Sequence, residues 1–116
     1  MNGICHIEIP CTDIDRAMKF YTDVFGWETR LIPEMNYGVF KAPDGPGGGF
    51  SRELKIAAEG GLALYIEVED INAVFGKVEA AGGKKVMDKA MISPEHGFMG
   101  QFSDIEGNLI GLWSQK

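Results

Sequence analysis

The sequence is short of basic residues, cysteine, histidine and long apolar runs, and each shortage closes off a class of function. Eleven Lys and Arg face 17 Asp and Glu, which leaves a formal charge of −6 and a pI near 4.8. Sequence-independent nucleic-acid binding needs clustered cations to neutralise phosphates, so nucleic acid is not an expected partner. An anionic membrane surface is disfavoured for the same reason. No apolar run approaches the roughly 20 residues of a transmembrane helix, and no basic segment leads into an apolar signal core. The expectation is a cytoplasmic protein with no membrane partner. The two cysteines, Cys5 and Cys11, are six residues apart on one predicted strand. At about 3.3 Å per residue their Cα atoms would stand roughly 20 Å apart, beyond bridging distance. Both are expected to be free, buried thiols that behave as small hydrophobes.

What remains is enough for one domain with a real core: 116 residues, 45% hydrophobic and 24% charged. The stretch from Ile4 to Trp27 organises it. From Cys5 to Cys11, strand alternation puts Cys5, Ile7, Ile9 and Cys11 on an apolar face and His6, Glu8 and Pro10 on the other. Thr12-Asp13-Ile14-Asp15 has capping-box spacing, with the Thr hydroxyl as the expected cap. Ile14, Ala17, Met18, Tyr21, Val24 and Phe25 recur at helical spacing, and Gly26 supplies the stop.

Strands are expected over residues 28–33 and 36–42, the second with Tyr37 and Val39 on one face and Gly38 and Phe40 on the other. Residues 42–49, APDGPGGG, punctuate rather than pack. They have neither the GxGxxG spacing that opens a helix nor a Walker lysine, so phosphate binding is not expected there. A short strand follows at Phe50–Leu54 and a connector at Lys55–Gly61. Leu62–Glu69 then reads as a strand, Asp70 as a cap, and Ile71, Val74, Phe75, Val78 and Ala81 as a helical stripe ended by Gly82-Gly83. An offset of 57 pairs Asp13 with Asp70, Ile14 with Ile71 and Gly26 with Gly83, so the chain looks like one βα-led unit used twice. Strands at about 85–92, 98–103 and 109–114, the last two joined by a turn at 104–108, complete an α+β pattern.

The opening His6 strand with Asp13, the run AMKFYTDVFGW from Ala17 to Trp27, Val68–Asp70, AAGG at 80–83 and the terminal DIEGNLIGLW together resemble the vicinal oxygen chelate superfamily. That superfamily spans glyoxalase I, bleomycin- and fosfomycin-resistance proteins and extradiol dioxygenases. The chain is most similar to its small single-domain group related to lactoylglutathione lyase. The resemblance implies one domain over residues 1–116, of two βαβββ modules at about 1–56 and 60–116. It further implies a curled mixed sheet forming a cup, and a homodimer. It also implies where a divalent metal would be held: a His or Gln on each module's first strand and a Glu on each module's last. His6 matches the first position. Ala63 and Gly111 stand at two others, and the fourth falls within residues 47–54, where glycines dominate. A catalytic metal usually takes three protein ligands, so no metal cofactor is expected, with a rearranged His/Glu site as the alternative.

On the second module Ala63, Tyr65 and Glu67 are expected on the cup face and Leu64, Ile66 and Val68 in the core. His6, Glu8, Tyr65 and Glu67 are thus the candidate ligand-binding residues, and Glu8 and Glu67 the candidate acid–base groups. His96, in SPEHG, is expected at the surface, and Trp27 and Trp113 in core or interface packing. The leading expectation is a glyoxalase/bleomycin resistance-like protein that binds a small organic ligand without the full metal site. A metal-dependent lyase or isomerase similar to lactoylglutathione lyase is the alternative, and an accessory protein with a vestigial cup a third.

Overall fold

A computed structural model describes residues 1–59 and 61–116 of the chain, in two units, residues 1–56 and 57–116. The expected connector and the expected start of the second module both include Gly60, which lies outside the described residues. The first unit runs β1 (Ile7–Pro10), α1 (Ile14–Phe25), β2 (Glu28–Ile32), a 3-10 turn (Pro33–Met35), β3 (Tyr37–Lys41) and β4 (Gly48–Ser51). The second runs β5 (Tyr65–Glu67), α2 (Ile71–Ala80), β6 (Lys84–Ser93), β7 (Gly97–Ser103) and β8 (Leu109–Ser114). Both sheets have one topology, β1-β4-β3-β2 and β5-β8-β7-β6. In each, the first strand lies parallel to the last and the remaining pairs are antiparallel. This is the α+β, twice-βαβββ class that the sequence indicates.

Local chemistry sets the elements. Asp13 and not Thr12 caps α1: its backbone is extended, and its carboxylate accepts from the Arg16 amide at 3.1 Å. A carboxylate at this end also meets the positive pole of the helix, which a hydroxyl one residue earlier does not. Thr12 instead accepts from the Arg16 guanidinium at 3.3 Å. Asp70 caps α2 in the same way, accepting from the Ala73 amide. Gly26 takes the left-handed conformation that ends α1, φ 72°. The buried stripe of α1 is Ile14, Ala17, Phe20, Tyr21 and Val24. Phe20 therefore joins the core, and Met18 is only half-buried.

The first unit's core is aromatic. Tyr21 stacks on Trp27 at 4.9 Å, Trp27 stacks on Phe40 at 4.5 Å, and Phe50 packs against Phe40 and Tyr21. Trp27 is buried, as core packing requires. Cys11 is buried but Cys5 is exposed, against the expectation for both. Regular β1 begins only at Ile7, so Cys5 lies before the strand and outside its buried stretch at Ile9. The second unit's core is mostly aliphatic, with Ile71, Val74, Phe75 and Val78 of α2 against Phe102, Ile110 and Leu112. Its terminal motif is structural. The buried Asp104 carboxylate accepts from the amides of Glu106 and Asn108, and Asn108 Oδ1 accepts from the Ala57 amide at 2.9 Å.

The largest local departure is at the glycine run. β4 begins at Gly48, inside the segment expected to punctuate, and ends at Ser51 rather than reaching Leu54. It pairs with β1 so closely that a Cβ on Gly48 would stand against the Ile7 carbonyl oxygen, so glycine is what allows a strand here. The strand expected over Leu62–Glu69 is regular only at 65–67, although Leu64 and Val68 extend its bonding to β8. Its alternation stands, with Ala63, Tyr65 and Glu67 exposed and Leu64, Ile66 and Val68 half-buried.

Candidate functional site

The sheet registers bring together residues that the sequence separates. In the first unit Glu8 of β1 lies opposite Gly49 of β4, and Gly49 opposite Val39 of β3. Cross-strand partners share a face, so this row lies on the face away from α1. In the second unit the equivalent row is Tyr65 of β5, Gly111 of β8 and Gln101 of β7. Gly49 is thus the counterpart of Gly111, and it lies within residues 47–54, where the resemblance implies the fourth position.

Neither glycine is bare. Tyr37, diagonal to Gly49 on β3, lays its ring across it. A Cβ on Gly49 would fall 2.0 Å from the Tyr37 hydroxyl and 2.1 Å from its Cζ. The hydroxyl thereby reaches over β4 to β1, where it donates to Glu8 Oε2 at 2.8 Å and meets His6 Nε2 at 2.7 Å. Since the single hydroxyl proton goes to Glu8, His6 Nε2 must donate, which assigns the imidazole proton to that nitrogen. The His6 and Tyr37 rings run nearly parallel, at 17°. Burial, and then the bond to Glu8 and its charge, push the Tyr37 hydroxyl up to about 12. Tyr37 therefore stays a donor across the physiological range and fixes Glu8 Oε2, while Glu8 Oε1 and His6 Nδ1 have no hydrogen-bond partner among the described residues.

In the second unit Tyr65 covers Gly111: a Cβ there would lie 2.5 Å from the ring's Cδ1. Beside it is a cavity of about 130 Å³, lined on the sheet side by Tyr65, Gly111 and Gln101 and on the connector side by Ala57, Leu62 and Ala63. Glu67 does not line it. Glu67 borders a broader groove with Glu69 and Lys116, of about 440 Å³.

Of the candidate residues, then, the structure joins His6 to Glu8 through Tyr37, and places Tyr65 at a cavity and Glu67 outside that cavity. Tyr37 and Gln101 escaped the sequence reading as site residues. The signal for Tyr37 was its outward phase on β3 together with the GGG run, since a large side chain can cross a strand only above glycine. His96 is exposed, in the β6–β7 turn, where its Nδ1 meets Ser93 Oγ at 2.8 Å and its carbonyl accepts from Trp113 Nε1. Among the described residues no three His, Cys, Asp or Glu side chains gather as a metal-holding group.

The fold is shared with proteins of known architecture. Aligned on this chain with a TM-score of 0.80 is the fosfomycin resistance protein FosX of Listeria monocytogenes, 13% identical and covering 100% of this chain and 94% of its own. A glyoxalase/bleomycin resistance protein/dioxygenase family enzyme of Burkholderia phytofirmans follows at 0.75, 16% identical, covering 96% of this chain and 97% of its own. At these identities the likeness is one of fold, and the fold defines the class: the architecture of two βαβββ units. Sequence relatives narrow it. The family model described as "Bleomycin resistance protein-like N-terminal" matches residues 4–43. A "Glyoxylase-like domain-containing protein" of Didymella fabae is 36% identical over 112 residues, 90% of this chain and 88% of the relative. CFP32 of Mycobacterium tuberculosis is 30% identical over 124 residues, and the match spans 92% of this chain but 43% of that protein's length. The chain belongs to the glyoxalase/bleomycin resistance-like family.

Proposed function

We propose that this chain is a small-molecule-binding member of its family, working as a homodimer and holding an organic ligand without the family's metal. The observation behind this reading is the state of the last-strand positions. The resemblance assigns a carboxylate ligand to each, yet Gly49 and Gly111 carry no donor atom, and the space a side chain would need is taken by the rings of Tyr37 and Tyr65. Ala63 offers no donor either. The residues present do not fit a His/Glu metal set.

On this reading His6 and Glu8 contact the ligand. Glu8 Oε1 and His6 Nδ1 accept hydrogen bonds or a proton from it, and Tyr37 is a positioning residue that holds both. Glu67, with no such support, is the weaker acid–base candidate. No helix among the described residues is long and apolar enough to cross a membrane. Metal content by plasma mass spectrometry, on protein challenged with nickel, zinc, manganese and iron, is expected to stay at background. Near-stoichiometric metal that is lost in His6→Ala would overturn the reading in favour of a metal-dependent lyase or isomerase. Ligands found by thermal-shift screening are expected to bind more weakly to His6→Ala and to Glu8→Gln, and sedimentation is expected to return twice the chain mass.

A further inference from the structure

The two units treat the space over their last-strand glycines differently, and the second leaves part of it open. The cavity over Gly111 has Tyr65 on one side and Gln101 on the other, with Ala57, Leu62 and Ala63 closing it from the connector. Ala57 anchors its part of that wall: its amide donates to Asn108 Oδ1 at 2.9 Å, and its carbonyl accepts from the Leu109 amide at 2.8 Å. The sheet floor and Ala57 are thus preorganised, and a ligand need not order them.

Its chemistry limits what it takes. About 130 Å³ is near the roughly 150 Å³ of an apolar cavity known to hold benzene, so the occupant is about one ring in size. The lining holds no carboxylate, ammonium, guanidinium or imidazole, so a charged ligand would lose hydration without gaining a counter-charge. Tyr65, 46% exposed, presents a ring for stacking. The Gln101 side-chain amide, half-buried and lining the space, has no hydrogen-bond partner among the described residues. It can donate and accept at once.

We infer that the cavity over Gly111 binds a neutral, single-ring organic molecule carrying an amide-like group, stacked on Tyr65 and hydrogen-bonded to Gln101. The inference rests on the reading of the chain as a metal-free small-molecule binder and names a ligand class for its second unit.

Benzamide, benzoate and benzylammonium share a ring and differ in charge, so titrating the intact ¹⁵N-labelled chain with each tests the claim. The expected result is a saturable shift of the Gln101 side-chain amide and the Tyr65 backbone amide with benzamide, at least tenfold tighter than with either ion. Ala63→Leu, at an exposed residue, fills the cavity and should weaken benzamide at least tenfold. Gln101→Leu should weaken it about two- to tenfold, the worth of one hydrogen bond. Failure of benzamide to saturate, ions binding as tightly, or an Ala63→Leu chain that binds unchanged would each overturn the proposal. Benzamide binding weakened by Glu8→Gln but not by Ala63→Leu would overturn this site and leave the metal-free reading standing. Stoichiometric metal would instead overturn that reading.

Discussion

Both units place a glycine at the centre of one sheet face and cover it with a tyrosine, but the tyrosine arrives from opposite sides. In the first unit it comes from the third strand, as Tyr37, and the first strand supplies Glu8 to receive its hydroxyl. In the second it comes from the first strand, as Tyr65 at the place of Glu8, and the place of Tyr37 is taken by Met99. The first arrangement fills the space and ends in a hydrogen-bonded His–Tyr–Glu chain. The second stacks the ring to one side and leaves a cavity. The cores diverge in parallel, aromatic in the first unit and largely aliphatic in the second. The repeat thus keeps the backbone seat and varies what sits on it, so one topology presents a hydrogen-bonded His–Tyr–Glu chain in one copy and an uncharged cavity in the other.

The comparison breaks first at the cores. Phe50 and Leu112 occupy equivalent fourth-strand positions, each fully buried. Phe50→Ala should cost about 3–5 kcal/mol, because Phe40 and Tyr21 are held in further ring contacts and cannot fold into the gap. Leu112→Ala should cost about 2–4 kcal/mol, since aliphatic neighbours relax more readily. Urea unfolding of the two variants orders them, and an equal or larger loss at Leu112 would remove the distinction between the cores. Next in size is the approach of the first strand to the last. Gly48 and Ile110 are equivalent, yet a Cβ on Gly48 would meet the Ile7 backbone, which cannot swing away as a side chain can. Gly48→Ala should therefore cost about 1–3 kcal/mol, lowering Tm by several degrees. A neutral Gly48→Ala would show that β1 and β4 are no more tightly joined than β5 and β8.

How far the sequence revealed this follows from the repeat. The strand, acidic residue and helix repeat at an offset of 57, so the Asp70 cap, both helices and the stop at Gly26 were legible, while the cap of α1 was read one residue early, at Thr12. From the third strand on, the offset becomes 62, because β6 has ten residues where β2 has five. That shift hid the pairs Gly38 with Gly100, Phe40 with Phe102 and Gly49 with Gly111. Gly38 and Gly100 both sit where a Cβ would press on the covering helix, against Ile14 and Phe75 respectively. His6 and Glu8 were legible as one face of one strand, since alternation is local. Their link through Tyr37 was not, because it depends on β4 lying between β1 and β3, which only the sheet order fixes. The glycine run read as punctuation because its composition is that of a turn, while its structural role is to let two larger partners come close.

The finest distinction between the units is what the two tyrosine hydroxyls do. Tyr37→Phe keeps the ring over Gly49 but removes its bonds to Glu8 and His6, both open to water, so the expected loss is about 1 kcal/mol. Tyr65→Phe removes a hydroxyl with no partner among the described residues and should change stability by less than about 0.5 kcal/mol. The alkaline limb separates them further. Tyr37 is raised from 10.0 to about 12 in the folded chain, so between those values the unfolded state releases the proton first. Stability drawn from Tyr37 is then fully present below pH 10 and lost as pH rises towards 12. The urea midpoint of the unsubstituted chain should exceed that of Tyr37→Phe by a constant margin from pH 7 to about 9.5, and the margin should close above that. A margin independent of pH would mean that Tyr37 is not held against Glu8 in solution, and the two units would then differ in shape but not in chemistry.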